Sequence, residues 1–141
     1  LIQLSNNVSD RDSKKVGSYF HVINDIERIG DHAYNFLEVS KNMAEEDLKF
    51  STKAKNELDQ VNKIIIEMFD ISIDIFTKHD QSELERLHFL EEENHYTRIT
   101  NDECTPELTS FYSELITELE RVADHLTNVG YSIVDPTGDE I

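Results

Sequence analysis

Apolar residues recur along most of this chain at steps of three and four, the spacing that gathers side chains on one face of an α-helix. The first such stretch opens at a cap, Ser9 or Asp10, and reaches about Asn42. Its stripe is Val16, Tyr19, Phe20, Ile23, Ile26, Ala33, Tyr34 and Leu37. A second starts near Ala44 or Ser51 and ends near Lys78, with Leu58, Val61, Ile65, Met68, Phe69, Ser72, Ile73 and Phe76. His79-Asp80-Gln81 reads as a short turn, and a third helix begins at Ser82 with Leu84, Leu87 and Leu90. The pattern breaks from Asn101 to Pro106. Thr105 as a cap and Pro106 in the first turn then start a fourth helix, because proline lacks only an N–H that a first turn leaves unbonded anyway. That helix runs to about Val134, where Asp135-Pro136-Thr137-Gly138 stops it. No stretch keeps a strand's period of two for long. The chain is therefore predicted to be all-α, an antiparallel bundle of about four long helices in one domain over 1–141. Residues 1–8 are expected to be a loose entry and 136–141 a mobile tail.

The third helix turns polar almost as soon as it starts, at Glu91-Glu92-Glu93-Asn94-His95. It is short beside its neighbours and leaves part of their apolar faces uncovered. This predicts a missing segment at the Glu93–Asn94 step.

Within the first and fourth helices one pattern appears twice. Residues 25–35 read D-I-E-R-I-G-D-H-A-Y-N, and 118–128 read E-L-E-R-V-A-D-H-L-T-N. Glu27, Arg28, Asp31, His32 and Asn35 recur 93 residues later as Glu120, Arg121, Asp124, His125 and Asn128. A pattern repeated at a fixed offset marks a repeated structural unit. Each copy sets two carboxylates four residues apart, stacked one turn above the other on a helix face.

On a wheel of about 100° per residue with Ile23 at zero, Glu27 falls at about +40°, inside the apolar arc, and Asp31 at its edge near +80°. The second copy repeats this around Ile116. A carboxylate in an apolar arc is costly unless it is paired, hydrogen-bonded or bound to metal. Two in matching contexts favour a cation site over two separate buried ion pairs. Its candidate ligands are Glu27, Asp31, Glu120 and Asp124, and oxygen donors suit iron, manganese, magnesium or calcium. His32 and His125 fall on the opposite side and are expected to be exposed. Arg28 and Arg121 lie beside the acidic edge, where they would balance Asp31 and Asp124. Gly30 and Ala123, small and mid-arc, are expected where helices pack closely. Glu67, Asp70 and Asp74 read as a solvated face.

Composition narrows the function. The 141 residues include 30 acids against 13 Lys and Arg, a formal charge of −17. Such a chain repels nucleic acid and anionic membrane surfaces, both of which are held by Lys and Arg. No apolar run approaches the roughly 20 residues that span a bilayer. Cys104 is the single cysteine, so neither an intrachain disulfide nor a cysteine-based zinc site is available, in keeping with a reduced compartment. The chain begins at Leu1 without a signal peptide, and is expected to start inside a longer protein.

The cassettes E-R-I-G-D-H-A-Y-N and E-R-V-A-D-H-L-T-N resemble the signature of PhoU-like proteins. The resemblance implies an all-helical domain of three-helix repeats, each ending in a helix with an acidic E-x-x-x-D motif. In metal-binding members that motif holds multinuclear iron or zinc clusters on the bundle surface. Carried over, its acids are Glu27, Asp31, Glu120 and Asp124, with Asp25 and Glu118 as accessory candidates although the wheel turns them away. The flanks H-V-I-N-D-I-E-R-I-G-D-H at 21–32 and N-D-E-C-T-P-E-L at 101–108 are similar to the C-terminal cytosolic tail of bacterial Na/Pi-cotransporter-family proteins. By that resemblance, residues 1–42 are the last helix of a first repeat and 44–135 a second repeat. The chain would be a non-enzymatic regulatory domain on the cytoplasmic side of the membrane. Its partner would be a membrane transporter domain in the same full-length chain.

Two other readings stand beside it. A ferritin-like di-iron enzyme needs Glu-x-x-His on two separate helices, whereas Glu85-x-x-His88 and Glu92-x-x-His95 share one segment. A structural dimerisation module, a homodimer, would follow from the apolar surface that a partial repeat leaves bare.

Overall fold

The computed structural model describes residues 9–96 and 106–134, and the regular elements among them are helices. Helix α1 spans Asp10–Glu45. Ser9 caps it, its hydroxyl accepting the Asp12 N–H at 3.2 Å and so filling one of the donors that a helix start leaves unbonded. Its far end closes as a Schellman motif: the Leu48 N–H donates to the Met43 carbonyl at 2.9 Å and the Asp47 N–H to Ala44 at 3.2 Å. Asp47 takes the left-handed conformation that this closure demands, at φ 51°. Leu48 packs against the small apolar cluster that contains Met43.

Helix α2 spans Thr52–Lys78 behind a Ser51 cap, whose hydroxyl accepts the Ala54 N–H at 3.2 Å. It stops at His79, also left-handed at φ 53°. The Asp80 carboxylate accepts the Ser82 N–H at 2.9 Å and opens a 3-10 turn, Gln81–Glu83. That backbone bond holds the Asp80 carboxyl below its ordinary range. Helices α3, Leu84–Tyr96, and α4, Pro106–Tyr131, complete the fold. The helices and the turn at 79–81 lie close to where the periodicity puts them. Glu93 and Asn94 are consecutive within α3. The expected loose entry at 1–8, the Thr105 cap, the stop at 135–138 and the tail at 136–141 lie outside the described residues. No helix among the described residues is long and apolar enough to cross a membrane.

The 3-10 turn folds α3 back along α2, where Arg86 Nη2 meets Glu67 Oε1 at 2.6 Å. Helix α4 closes this hairpin into a three-helix unit around Met68, Ile75, Leu87, Leu90 and Leu126. It runs in the same direction as α2. The Tyr112 hydroxyl donates to Glu57 Oε2 at 3.1 Å, and Gly130, as far beyond Tyr112 as Ile75 is beyond Glu57, lies against Ile75. Val61, Ile65, Met68 and Ser72 are buried as their stripe predicts. Phe69 of that stripe is exposed instead, and Ile75, outside it, is core. The buried line follows 61, 65, 68, 72 and 75, and 69 lies one position to its side.

The larger departure is α1. Its predicted stripe faces solvent: Ile23 is 60% and Leu37 63% exposed, and Phe20, Ile26 and Tyr34 are similar. A different line, with Val22, Val39 and Met43 buried, packs along α4. Helix α1 is apolar on two faces, and its own sequence does not say which of them finds a neighbour.

Two glycines report on this difference. A Cβ at Gly130 would run into the fully buried Leu87 side chain, so α4 and α3 pack closely there. Gly130→Ala is expected to cost about 1–3 kcal/mol through overpacking. At Gly30 nothing lies within 4 Å of an added Cβ, and Gly30→Ala should stabilise the helix by up to about 1 kcal/mol. Urea unfolding of the two variants checks the contrast. In the same assay Asp47→Gly, which removes the left-handed strain at the end of α1, should gain up to about 1 kcal/mol.

Candidate functional site

The two cassettes meet. His32 Nδ1 lies 2.7 Å from Glu118 Oε2, and Asn35 Nδ2 donates to the same oxygen at 3.2 Å. In return His125 Nδ1 lies 2.8 Å from Asp25 Oδ1, and Asn128 Nδ2 donates to that oxygen at 3.3 Å. Rising numbers on α1 meet falling numbers on α4, so the two helices run in opposite directions. Shifting one set of residues by 93 positions yields the other set, which is an internal two-fold relation. Between the two sets the His32 and His125 rings stack, with centroids 5.5 Å apart and planes at 24°.

Helix geometry makes this clasp possible. In each cassette an acid precedes a histidine by seven residues, two turns, and an asparagine by ten, so all three share one face. Val22, Ile29, Phe36 and Val39 alternate with Asp25 and His32 along that face of α1. On α4, Leu115, Val122 and Val129 alternate with Glu118 and His125. The polar groups thus sit inside an apolar seam. The four charged or ring side chains are each only about one-fifth exposed or less, 19% and 16% in one bridge and 21% and 15% in the other. An ionised carboxylate can only accept, so each histidine presents Nδ1–H to it, and this fixes the ring's orientation and tautomer.

This corrects the exposure expected of His32 and His125. They do lie opposite the arc of Glu27 and Glu120, but that side is the α1–α4 interface and not solvent. Asp25 and Glu118 are turned away from the other acids, as the wheel has them. They are the acceptors on which the clasp closes. The missed signal was legible: the acid-to-histidine step of seven coincides with a second apolar line.

The predicted cation ligands lie elsewhere. Glu27 and Asp31 are exposed on α1; Glu120 is 6% exposed, and Asp124 is half-buried. Arg28 Nη1 stands 3.9 Å from Asp31, and Arg121 Nη1 3.5 Å from Asp124, the balance expected of the two arginines. Among the described residues no three His, Cys, Asp or Glu side chains converge in a metal-holding arrangement. A multinuclear iron or zinc cluster, which needs many protein ligands at once, does not fit this set. Each E-x-x-x-D pair sets two carboxylates one turn apart, both exposed in the first pair and, in the second, Glu120 buried and Asp124 half-buried. Glu67 and Asp74 form exposed ion pairs with Arg86 and Lys78, in keeping with a solvated face. A further buried acid, Glu57, was not anticipated; it continues the α2 line between Ala54 and Val61 and accepts from Tyr112.

An open cleft of about 650 Å³ lies at the Asp25 end of the clasp, lined by Lys14, Ser18, His21 and Asn128 among others. One of about 560 Å³, lined by Ser113, Glu114 and Thr117, lies at the Glu118 end. Both positions follow from the internal two-fold. No family model, curated protein or solved structure matches this chain.

The clasp makes a measurable claim. A double-mutant cycle of His32→Ala and Glu118→Ala, read by urea unfolding, should return a coupling of about 1 kcal/mol, and Asp25→Ala with His125→Ala about the same. Coupling near zero in both would mean that apolar contacts alone hold the seam.

Proposed function

We propose that this chain is a PhoU-like regulatory domain of a phosphate transporter of the Na/Pi-cotransporter family. It is non-enzymatic and sits on the cytoplasmic side of the membrane beside the transporter's membrane domain. The observation that carries the reading is the internal two-fold: two cassettes of the PhoU-like type, on separate helices, that close on each other. Asp25, His32 and Asn35 of one cassette and Glu118, His125 and Asn128 of the other are used for helix pairing. His32 and His125 donate to carboxylates across the seam. The assignment to phosphate rests on the resemblance of the cassettes and of residues 21–32 and 101–108.

The E-x-x-x-D acids that lie outside the clasp, Glu27 with Asp31 and Glu120 with Asp124, are proposed to bind single divalent or trivalent cations. Cation charge would offset part of the −17 carried by the chain and give the domain a metal-dependent state. Binding to the folded form alone stabilises it by mass action, about 2.7 kcal/mol at a hundredfold excess over Kd.

Scanning calorimetry with manganese, iron(II) or zinc is expected to show a concentration-dependent rise in Tm. The pair Asp31→Asn and Asp124→Asn should abolish it while helicity is retained. In the full-length transporter the same pair should alter the response of phosphate uptake to external phosphate without abolishing transport. Unchanged Tm with every metal removes the cation role, and an unchanged uptake response removes the regulatory one.

A further inference from the structure

Helices α1 and α2 both pack along α4 but touch one another little. Tyr19 meets Phe76 edge-on, with ring centroids 5.8 Å apart, and beyond that contact the two helices leave a trough between them. Helix α1 runs against α4 and α2 runs with it, so α1 and α2 are antiparallel. Seven residues on from Tyr19 is Ile26, and seven back from Phe76 is Phe69. Two turns keep the same face, so Ile26 and Phe69 stand level across the trough. They are 52% and 48% exposed. The α1 wall continues through Ile23 and Leu37, also exposed, and through Gly30, where nothing lies within 4 Å of an added Cβ. Shifted by 93, Ile23, Ile26, Gly30, Ala33 and Leu37 become Ile116, Leu119, Ala123, Leu126 and Gly130, the line on which α4 receives α2 and α3. The wall thus has the spacing of a helix-packing seam. From Tyr19 to Leu37 it is about 27 Å long, the length of a five-turn helix.

The charge beside the trough says what kind of helix fits. On α1, Glu27, Asp31 and Glu38 border the apolar line on its solvent side, and on α2 Asp59 and Asp70 do the same; all are exposed. The basic residues over this span are Lys63, between the two α2 acids, and Arg28, which stands 3.9 Å from Asp31. We propose that the trough receives a basic amphipathic helix of another protein. Its apolar face, at steps of three and four, would fill the space between Ile26 and Phe69, and Lys or Arg on its flanks would face the acids on both rims. The −17 of the whole chain attracts such a partner at long range and repels a second copy of itself. The inference depends on neither the phosphate nor the metal assignment, and its test is run in chelator so that no cation competes for Glu27 and Asp31.

The probe is a fluorescein-labelled peptide of Leu and Lys, about 18 residues long to match the trough, with Leu on one helical face. Anisotropy titration with the 141-residue protein should show binding that weakens as salt is added. Ile26→Ser with Phe69→Ser should weaken it roughly tenfold or more with unchanged circular dichroism, since both side chains are exposed. Phe89→Ser, equally exposed on α3, should leave affinity unchanged. Asp31→Asn with Asp70→Asn should reduce both affinity and its salt dependence. A peptide of the same composition, scrambled so that Leu no longer falls on one face, should bind at least tenfold more weakly. Equal binding of the scrambled peptide, or indifference to Ile26→Ser with Phe69→Ser, would reduce the contact to unspecific charge attraction and overturn the proposal. So would tighter binding of the same peptide with Glu in place of Lys, or a self-associated protein from which the peptide is excluded.

Discussion

The fold depends on one constraint: an acid on each of two helices needs the histidine and asparagine of the other. Asp25 and Glu118 sit in an apolar seam, where an ionised carboxylate without donors would be costly. Each receives two donors, and both come from the opposite helix. Because acid and histidine are two turns apart in both cassettes, the bonds can form only if the helices run in opposite directions in one register. A slip by one turn would leave both carboxylates and both rings unpaired. Apolar contacts between Val39, Met43 and Leu115 add attraction, but attraction of that kind tolerates sliding. The polar groups set the register.

From that register the rest follows. Helix α4 is committed on two sides, its clasp side to α1 and its second apolar line to α2 and α3. Helix α1, built to the same pattern, packs its clasp side on α4, and of its other line Tyr19 meets Phe76 of α2. The internal two-fold relates the cassettes but not their surroundings, which is why Glu120 is buried and Glu27 exposed. Small residues mark the same asymmetry. Ala123 and Gly130 let α2 and α3 close on α4, whereas Gly30 faces open space.

The duplicated carboxylates thus divide into two sets with different chemistry. Asp25 and Glu118 are consumed in helix pairing. Glu27, Asp31, Glu120 and Asp124 lie outside the clasp, and Asp31 and Asp124 each have an arginine one turn away. The first of these pairs is exposed and the second half-buried on its acid, and at 3.9 and 3.5 Å such pairs contribute little to stability.

Helix identity, caps and ends were determined by local sequence, because they answer to local physics. Ser9 and Ser51 bond donors three residues on, and steps of three and four make a face wherever the helix goes. The duplication was equally plain, and with it the expectation that the two cassettes form one unit. The partner of each face was not. Helix α1 offers two apolar lines, and a helical wheel ranks them by composition, which favours the one with Ile23, Tyr34 and Leu37. The tertiary structure buries the other, since only that line carries groups that α4 can satisfy. For the same reason His32 and His125 read as solvent-facing on an isolated helix and prove to lie inside the α1–α4 interface. Periodicity places side chains around one axis, and the second axis decides which of them are inside.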